Sequence, residues 1–221
     1  MKVKNCLSEL IGTFILIFST CFAICYFSNS PLTIAITAGL VYLVLFYSFG
    51  NTSGCYFNPV ISLSGLIQKR ITFLEFVSYF VVELIGGILG VLFLQLILPT
   101  FNYDYATYAT ELCCKGDLIA AIFIEIITSY LMVLTFIGAN SKSRNKNIRG
   151  LIFGGAIVIT VLISSVLNYS LANPIKAFAA AITCKHWNSL IAFIISPFIG
   201  SILATYHFNW LKKDPETKED N

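Results

Sequence analysis

Six apolar runs, at about 6–27, 32–49, 73–98, 118–139, 150–168 and 188–211, dominate this chain. A helix rises about 1.5 Å per residue and a bilayer's hydrocarbon core is about 30 Å thick, so each run is long enough to cross as a helix. Together they take up most of the 221 residues and leave no length for a separate soluble domain. With 57% hydrophobic and only 11% charged residues, a water-soluble fold could not cover its own surface. The reading is an all-α membrane protein. One membrane domain is expected over 1–211, followed by a polar tail at 212–221.

Two shorter apolar stretches, about 58–68 and 173–184, reach only part of the way across. Each opens with Asn and then Pro: Asn58-Pro59 and Asn173-Pro174. Asn is a favoured N-cap, and Pro fits the first helical position because its missing donor is not needed there. Both stretches therefore read as half-length helices that start inside the membrane. A backbone break at that depth is tolerated only where it is buried in protein or lines a water-filled cavity, so two of them imply a pathway.

The halves of the chain repeat. Glu9 opens Glu-Leu-Ile-Gly-Thr and Glu125 opens Glu-Ile-Ile-Thr-Ser, 116 positions apart. Gly39 and Gly155 share that offset, Asn58 and Asn173 lie 115 apart, and LIGGIL at 84–89 matches FIGSIL at 198–203 with an offset of 114. Repeat one covers about 6–98 and repeat two about 118–211. Each holds three spans and one half-helix. Three is odd, so the second copy enters from the opposite face and the repeat is inverted. Asn58 and Asn173 then meet near the midplane. The positive ends of both half-helices face that point, offering donors to an oxygen and repelling cations.

Basic residues set the orientation. Lys2, Lys4, Lys69, Arg70, Lys142, Arg144, Lys146, Arg149, Lys212, Lys213 and Lys218 fall on one side under this topology, which makes both termini cytoplasmic by the positive-inside rule. The other side carries Lys115 and Lys185 with Asp104, Glu111 and Asp117. Lys2 and Lys4 precede a run with no small-residue cleavage site, so a retained span is expected rather than a signal peptide.

Paired Asn-Pro boxes, a Glu-x-x-x-Thr motif opening each half and six spans resemble the aquaporin family, over essentially the whole chain. The resemblance implies a passive channel for water or small uncharged solutes such as glycerol, urea, ammonia or peroxide, assembled as a homotetramer with a pore in each subunit. It implies that Asn58 and Asn173 donate to the permeating molecule and that Glu9 and Glu125 support the box loops from inside the bundle. Thr13 fits the motif's last position, where the second copy has Ser129. By distance from the boxes, the outer selectivity filter would comprise Ala38, Val161, Ser170 and Lys176.

The departures from the pattern also constrain it. Val60 and Ile175 stand where each box normally has Ala, which would bring larger side chains beside the centre. Lys176 replaces the usual Arg and presents a point charge rather than a fork of donors. The filter lacks the aromatic and the His of a strict water channel and reads as wide and weakly polar. Cys184, nine residues past the second box, resembles the superaquaporin branch, whose members are often intracellular, so the membrane is either the plasma membrane or an internal one.

Glu83 stands where the family usually has Gln and reads first as helix-interface packing, with proton relay as the sharper reading. Gly39, Gly86, Gly90, Gly155 and Gly200 let helices approach closely. His186, His207, Trp187 and Trp210 suit the interface. The seven cysteines, Cys113 and Cys114 among them, show no zinc or disulfide spacing. No metal, cofactor or nucleic-acid partner is expected, and no nucleophile–base constellation or phosphate loop suggests an enzyme. The expected partners are the bilayer, water and small neutral solutes. A coupled secondary transporter, with Glu9, Glu83 or Glu125 as the ion carrier, and a closed-pore scaffold are the competing functions.

Overall fold

A computed structural model describes residues 2–101, 117–141, 146–167, 170–185, 187 and 190–212, the side chains of 146 and 184 excepted. Asp104, Glu111, Cys113, Cys114, Lys115, Lys142, Arg144, His186, Lys213, Lys218 and the tail from 213 lie outside those residues.

The described residues form six long helices and two short ones. In the first half, α1 spans Val3–Tyr26, α2 Pro31–Phe49, the short α3 Pro59–Ile67 and α4 Phe73–Ile97. In the second, α5 spans Leu118–Ala139, α6 Arg149–Ile163, the short α7 Pro174–Cys184 and α8 Leu190–Leu211. The six long helices, with short 3-10 turns extending α4 and α6, are long and apolar enough to cross a membrane. Local chemistry sets the helix starts. Thr72 and Glu75 form a reciprocal capping box on α4, with Thr72 N–H donating to Glu75 Oε2 at 2.8 Å. Asp117 accepts from Ile119 and Ala120 at the start of α5.

Packing obeys the twofold relation of the repeat. The pair α1–α4 has its counterpart in α5–α8, α1–α2 in α5–α6, α3–α4 in α7–α8, and α3–α8 in α4–α7, while α2 and α6 pack on each other. Glycine sets the close approaches. A Cβ on Gly90 would lie 2.9 Å from the Phe14 carbonyl on α1, and one on Gly200 would lie 2.9 Å from Tyr130 N on α5. Gly39 of α2 meets Gly154 of α6 across the twofold axis, where a Cβ on either would reach the other's carbonyl. Gly155, expected to play this part, faces open space, so the contact has moved by one residue.

The outer surface is apolar, with Leu40, Val44, Leu92, Ile127, Ile159 and Ile195 all exposed, as lipid demands. The buried polar groups are inside: Glu9, Glu83, Glu125 and Lys176 have no exposed surface. At one end of the bundle, Tyr47 donates to the Asn147 carbonyl, Gln68 donates to Asn209, and Arg70 lies close enough to Arg149 to interact with it electrostatically. The ends of α2, α3 and α8 and the start of α6 thus share one face of the molecule.

Candidate functional site

Asn58 and Asn173 each cap a half-helix and brace the other. Asn58 Oδ1 accepts from Val60 N at 3.0 Å, and Asn173 Oδ1 accepts from Ile175 N at 3.0 Å. Pro59 and Pro174 occupy the first helical positions, where no donor is missed. Asn58 Nδ2 donates to the Ala172 carbonyl at 3.0 Å, and Asn173 Nδ2 donates to the Phe57 carbonyl at 3.5 Å. Each asparagine therefore binds the carbonyl that precedes its counterpart. Phe57 and Ala172 are held at φ 50° and 47°, a left-handed conformation that costs energy in a residue with a side chain and persists only where the surroundings enforce it.

A cavity of about 20 Å³ adjoins both carboxamides, walled by Ala38, Leu16, Met132 and Ile157 with Thr20 and Tyr42. That is room for about one water. Thr20 donates to the Leu16 carbonyl, and the Tyr42 hydroxyl sits 2.5 Å and 2.9 Å from the carbonyls of Cys55 and Tyr56. Both hydroxyl protons are engaged. A carboxamide has two protons and the cross-brace uses one, so the second proton of each asparagine is left for a passing oxygen. For Asn58 that proton faces Met132 Sδ at 3.9 Å, an acceptor weak enough for water to replace. The positive ends of α3 and α7 converge here, each equivalent to roughly half a unit charge, which disfavours cations.

The first box is held by two carboxyls. Glu9 of α1 accepts from Tyr56 N at 3.1 Å and from Phe57 N at 2.6 Å. One turn along, Gly12 leaves the space that the Phe57 ring fills. Glu83 of α4 accepts from Ser62 Oγ at 2.8 Å on the flank of α3, and its second oxygen has no hydrogen-bond partner. Glu83 therefore packs at an interface and also props the half-helix. From α8, Ser201 donates to the Val60 carbonyl at 2.6 Å.

The second box is arranged differently. Ser170 donates to Glu125 Oε1, and Lys176, wholly buried on α7, interacts electrostatically with the same carboxyl. Of the expected filter positions, Ala38 lines the central cavity, Ser170 and Lys176 gather around Glu125, and Val161 is buried on α6 away from the cavity wall. Thr13 Oγ1 is buried without a hydrogen-bond partner, whereas Ser129 donates to the Glu125 carbonyl.

The expected crowding of the centre by the box residues is not found. Ile175 turns its Cγ2 onto Gly87 of α4, and neither it nor Val60 borders the central cavity. Sequence reasoning missed Met132, Tyr42 and Ser62. The departure from the family's usual Gln singled out Glu83, and nothing local in the sequence pointed to Ser62 as its partner.

Residues 1–208 match the profile of the major intrinsic protein family. This chain belongs to that family. As a major intrinsic protein it is a passive membrane channel for water and small solutes and not an enzyme. It is 28% identical over 95% of its length to Aquaporin NIP3-1 of Arabidopsis thaliana, covering 68% of that protein. Aquaporin Z of Photorhabdus laumondii is 27% identical over 91% of this chain and 94% of its own. Glycerol uptake facilitator protein-like 6 of Lactiplantibacillus plantarum is 24% identical over 92% and 96%. The aquaglyceroporin structure from Plasmodium falciparum superposes with a TM-score of 0.74 at 18% identity, over 94% of this chain and 95% of that one, which establishes the shared fold.

Proposed function

We propose that this major intrinsic protein passes water, and solutes of similar cross-section such as ammonia, in single file past Asn58 and Asn173. The observation that carries this reading is the cavity of about 20 Å³ between the two carboxamides, with their second protons as its available donors. Glycerol and urea are several times the volume of water and would need the wall at Met132 and Ile157 to move. The relatives' names span aquaporins and a glycerol facilitator, and the size of the cavity favours the aquaporin end of that range. In this reading Glu9 and Glu125 fix the boxes. Ala38 lines the route at the cavity, and at the second box Ser170 and the charge of Lys176 act on Glu125.

The remaining features follow the family resemblance: a single channel domain over 1–211, a homotetramer with a pore in each subunit, and both termini with the 212–221 tail in the cytoplasm. The basic residues described at the ends of α3 and α8 and the start of α6 support that orientation. Stopped-flow light scattering of proteoliposomes tests the function. Shrinkage faster than in empty vesicles, without reswelling in glycerol or urea, is the expected result. Reswelling in glycerol would overturn the size argument, and no acceleration by folded protein would overturn the open channel.

A further inference from the structure

A second cavity, of about 230 Å³, lies outside the pore on the flank of the second half-helix. Phe80 and Leu84 of α4, Phe178 of α7, and Ile194 and Phe198 of α8 wall it, and Pro174 and Ile175 form its floor. Every one of these side chains is apolar, so the site offers a ligand no polar side chain. An apolar cavity of about 150 Å³ already accepts a benzene molecule, so this one has the volume for a longer hydrocarbon.

Its position identifies the occupant. Val81 beside Phe80 is 47% exposed, and Ile195 beside Ile194 is 50% exposed, so the rim continues into the lipid-facing surface of α4 and α8. The floor belongs to the box whose asparagine meets its counterpart at the centre of the bundle, and Phe80 and Leu84 lie in the body of the spanning α4. The cavity is therefore near the midplane, about 15 Å from either headgroup region. At that depth the bilayer supplies only the ends of acyl chains.

We propose that this cavity is an acyl-chain site, in which the terminal part of a bilayer lipid's chain enters between α4 and α8 and rests on Pro174 and Ile175 of the second box. Ile175 makes the link to the pore physical. Its side chain borders the cavity and packs on Gly87, while its backbone N–H is held by Asn173 Oδ1. A chain in the cavity thus presses on the turn that carries a pore asparagine. The bulk of Ile175, where the family pattern has Ala, supplies the floor that the chain touches. The inference does not depend on which solute passes.

Photolabelling tests it without reference to flux. The full-length channel is reconstituted in phosphatidylcholine vesicles carrying a diazirine near the end of one acyl chain, irradiated, digested and mapped by mass spectrometry. Adducts are expected on Pro174, Ile175 and Phe178. The first two are buried and reachable from lipid only through the cavity. A diazirine placed beside the headgroup should leave all three unlabelled. Ile194→Trp, which fills the cavity, should lower labelling at 174–178 severalfold and leave the exposed Leu40 and Val44 unchanged. Phe178→Ala, which enlarges the cavity, should raise labelling of Ile175 and provides the test should the tryptophan variant fail to fold. Labelling confined to the exposed flanks, or labelling of 174–178 indifferent to both substitutions, would overturn the proposal.

Discussion

Replacing Glu9 and Glu83 by glutamine, one at a time, should give different results although both side chains are fully buried beside the same box. Glu9 uses both oxygens, one on Tyr56 N and one on Phe57 N. Glutamine keeps one oxygen and turns an NH2 group toward the other backbone donor, so a buried hydrogen bond is lost and two donors face each other. Leaving a buried donor unsatisfied costs about 1–3 kcal/mol, so Glu9→Gln should destabilise by that amount. The strained φ at Phe57 also loses its restraint, and osmotic water permeability should fall with it. Glu83 makes one geometric hydrogen bond, from Ser62, and the Asn58 backbone N–H lies close enough to interact with the carboxyl without bonding its second oxygen. Glu83→Gln keeps the bonded oxygen and breaks no geometric hydrogen bond at the other, so stability should stay within about 1 kcal/mol of the parent. Thermal melting of the purified channel in detergent, paired with stopped-flow shrinkage of proteoliposomes, reads both quantities. Equal destabilisation by the two substitutions, or a silent Glu9→Gln, would refute the division of labour drawn between them.

Three further outcomes follow from the same geometry. Lys176→Met removes the buried cation whose field reaches the Glu125 carboxyl and should destabilise the channel, while adding Glu125→Gln should restore part of the loss; a double-mutant cycle in melting experiments measures the coupling. Gly90→Val places a Cβ 2.9 Å from the Phe14 carbonyl and 3.1 Å from Phe18 N, an overpacking worth about 1–3 kcal/mol that should force α1 from α4 and lower the yield of monodisperse protein. Ser201→Ala removes the 2.6 Å bond to the Val60 carbonyl, an acceptor on a half-helix, and should cost about 1 kcal/mol with water flux preserved.

Element positions were legible in the sequence because membrane solvent imposes a length and a composition on every span. The run expected at 32–49 is the helix Pro31–Phe49, that at 118–139 is Leu118–Ala139, and the two Asn-Pro stretches are Pro59–Ile67 and Pro174–Cys184. The first span begins earlier than its apolar run, at Val3, because helical geometry continues through Lys4, whose side chain is exposed at the end of the bundle. The support role of Glu9 and Glu125 came from the family resemblance, and the cost of an unsatisfied carboxyl inside a span made it physically reasonable. Direction was not legible. Whether Ile175 faced the pore or α4 depended on Gly87, 88 positions away, and the electrostatic reach of the buried Lys176 to Glu125 depended on packing that no local pattern records. The one-residue shift from Gly155 to Gly154 has the same origin, since helix rotation about its own axis is set by neighbours.

The crossed bonds of the two asparagines bear on how the molecule is made. Asn58 needs the Ala172 carbonyl, and Asn173 needs the Phe57 carbonyl, so neither repeat contains a finished box. Until the second half is in place, the first box has its Glu9 restraint and its own helix cap but lacks the carbonyl that answers Asn58 Nδ2. The channel centre is therefore among the last parts of the protein to settle. A chain that stalls before Asn173 emerges would therefore carry an Asn58 carboxamide whose acceptor in the second repeat is missing.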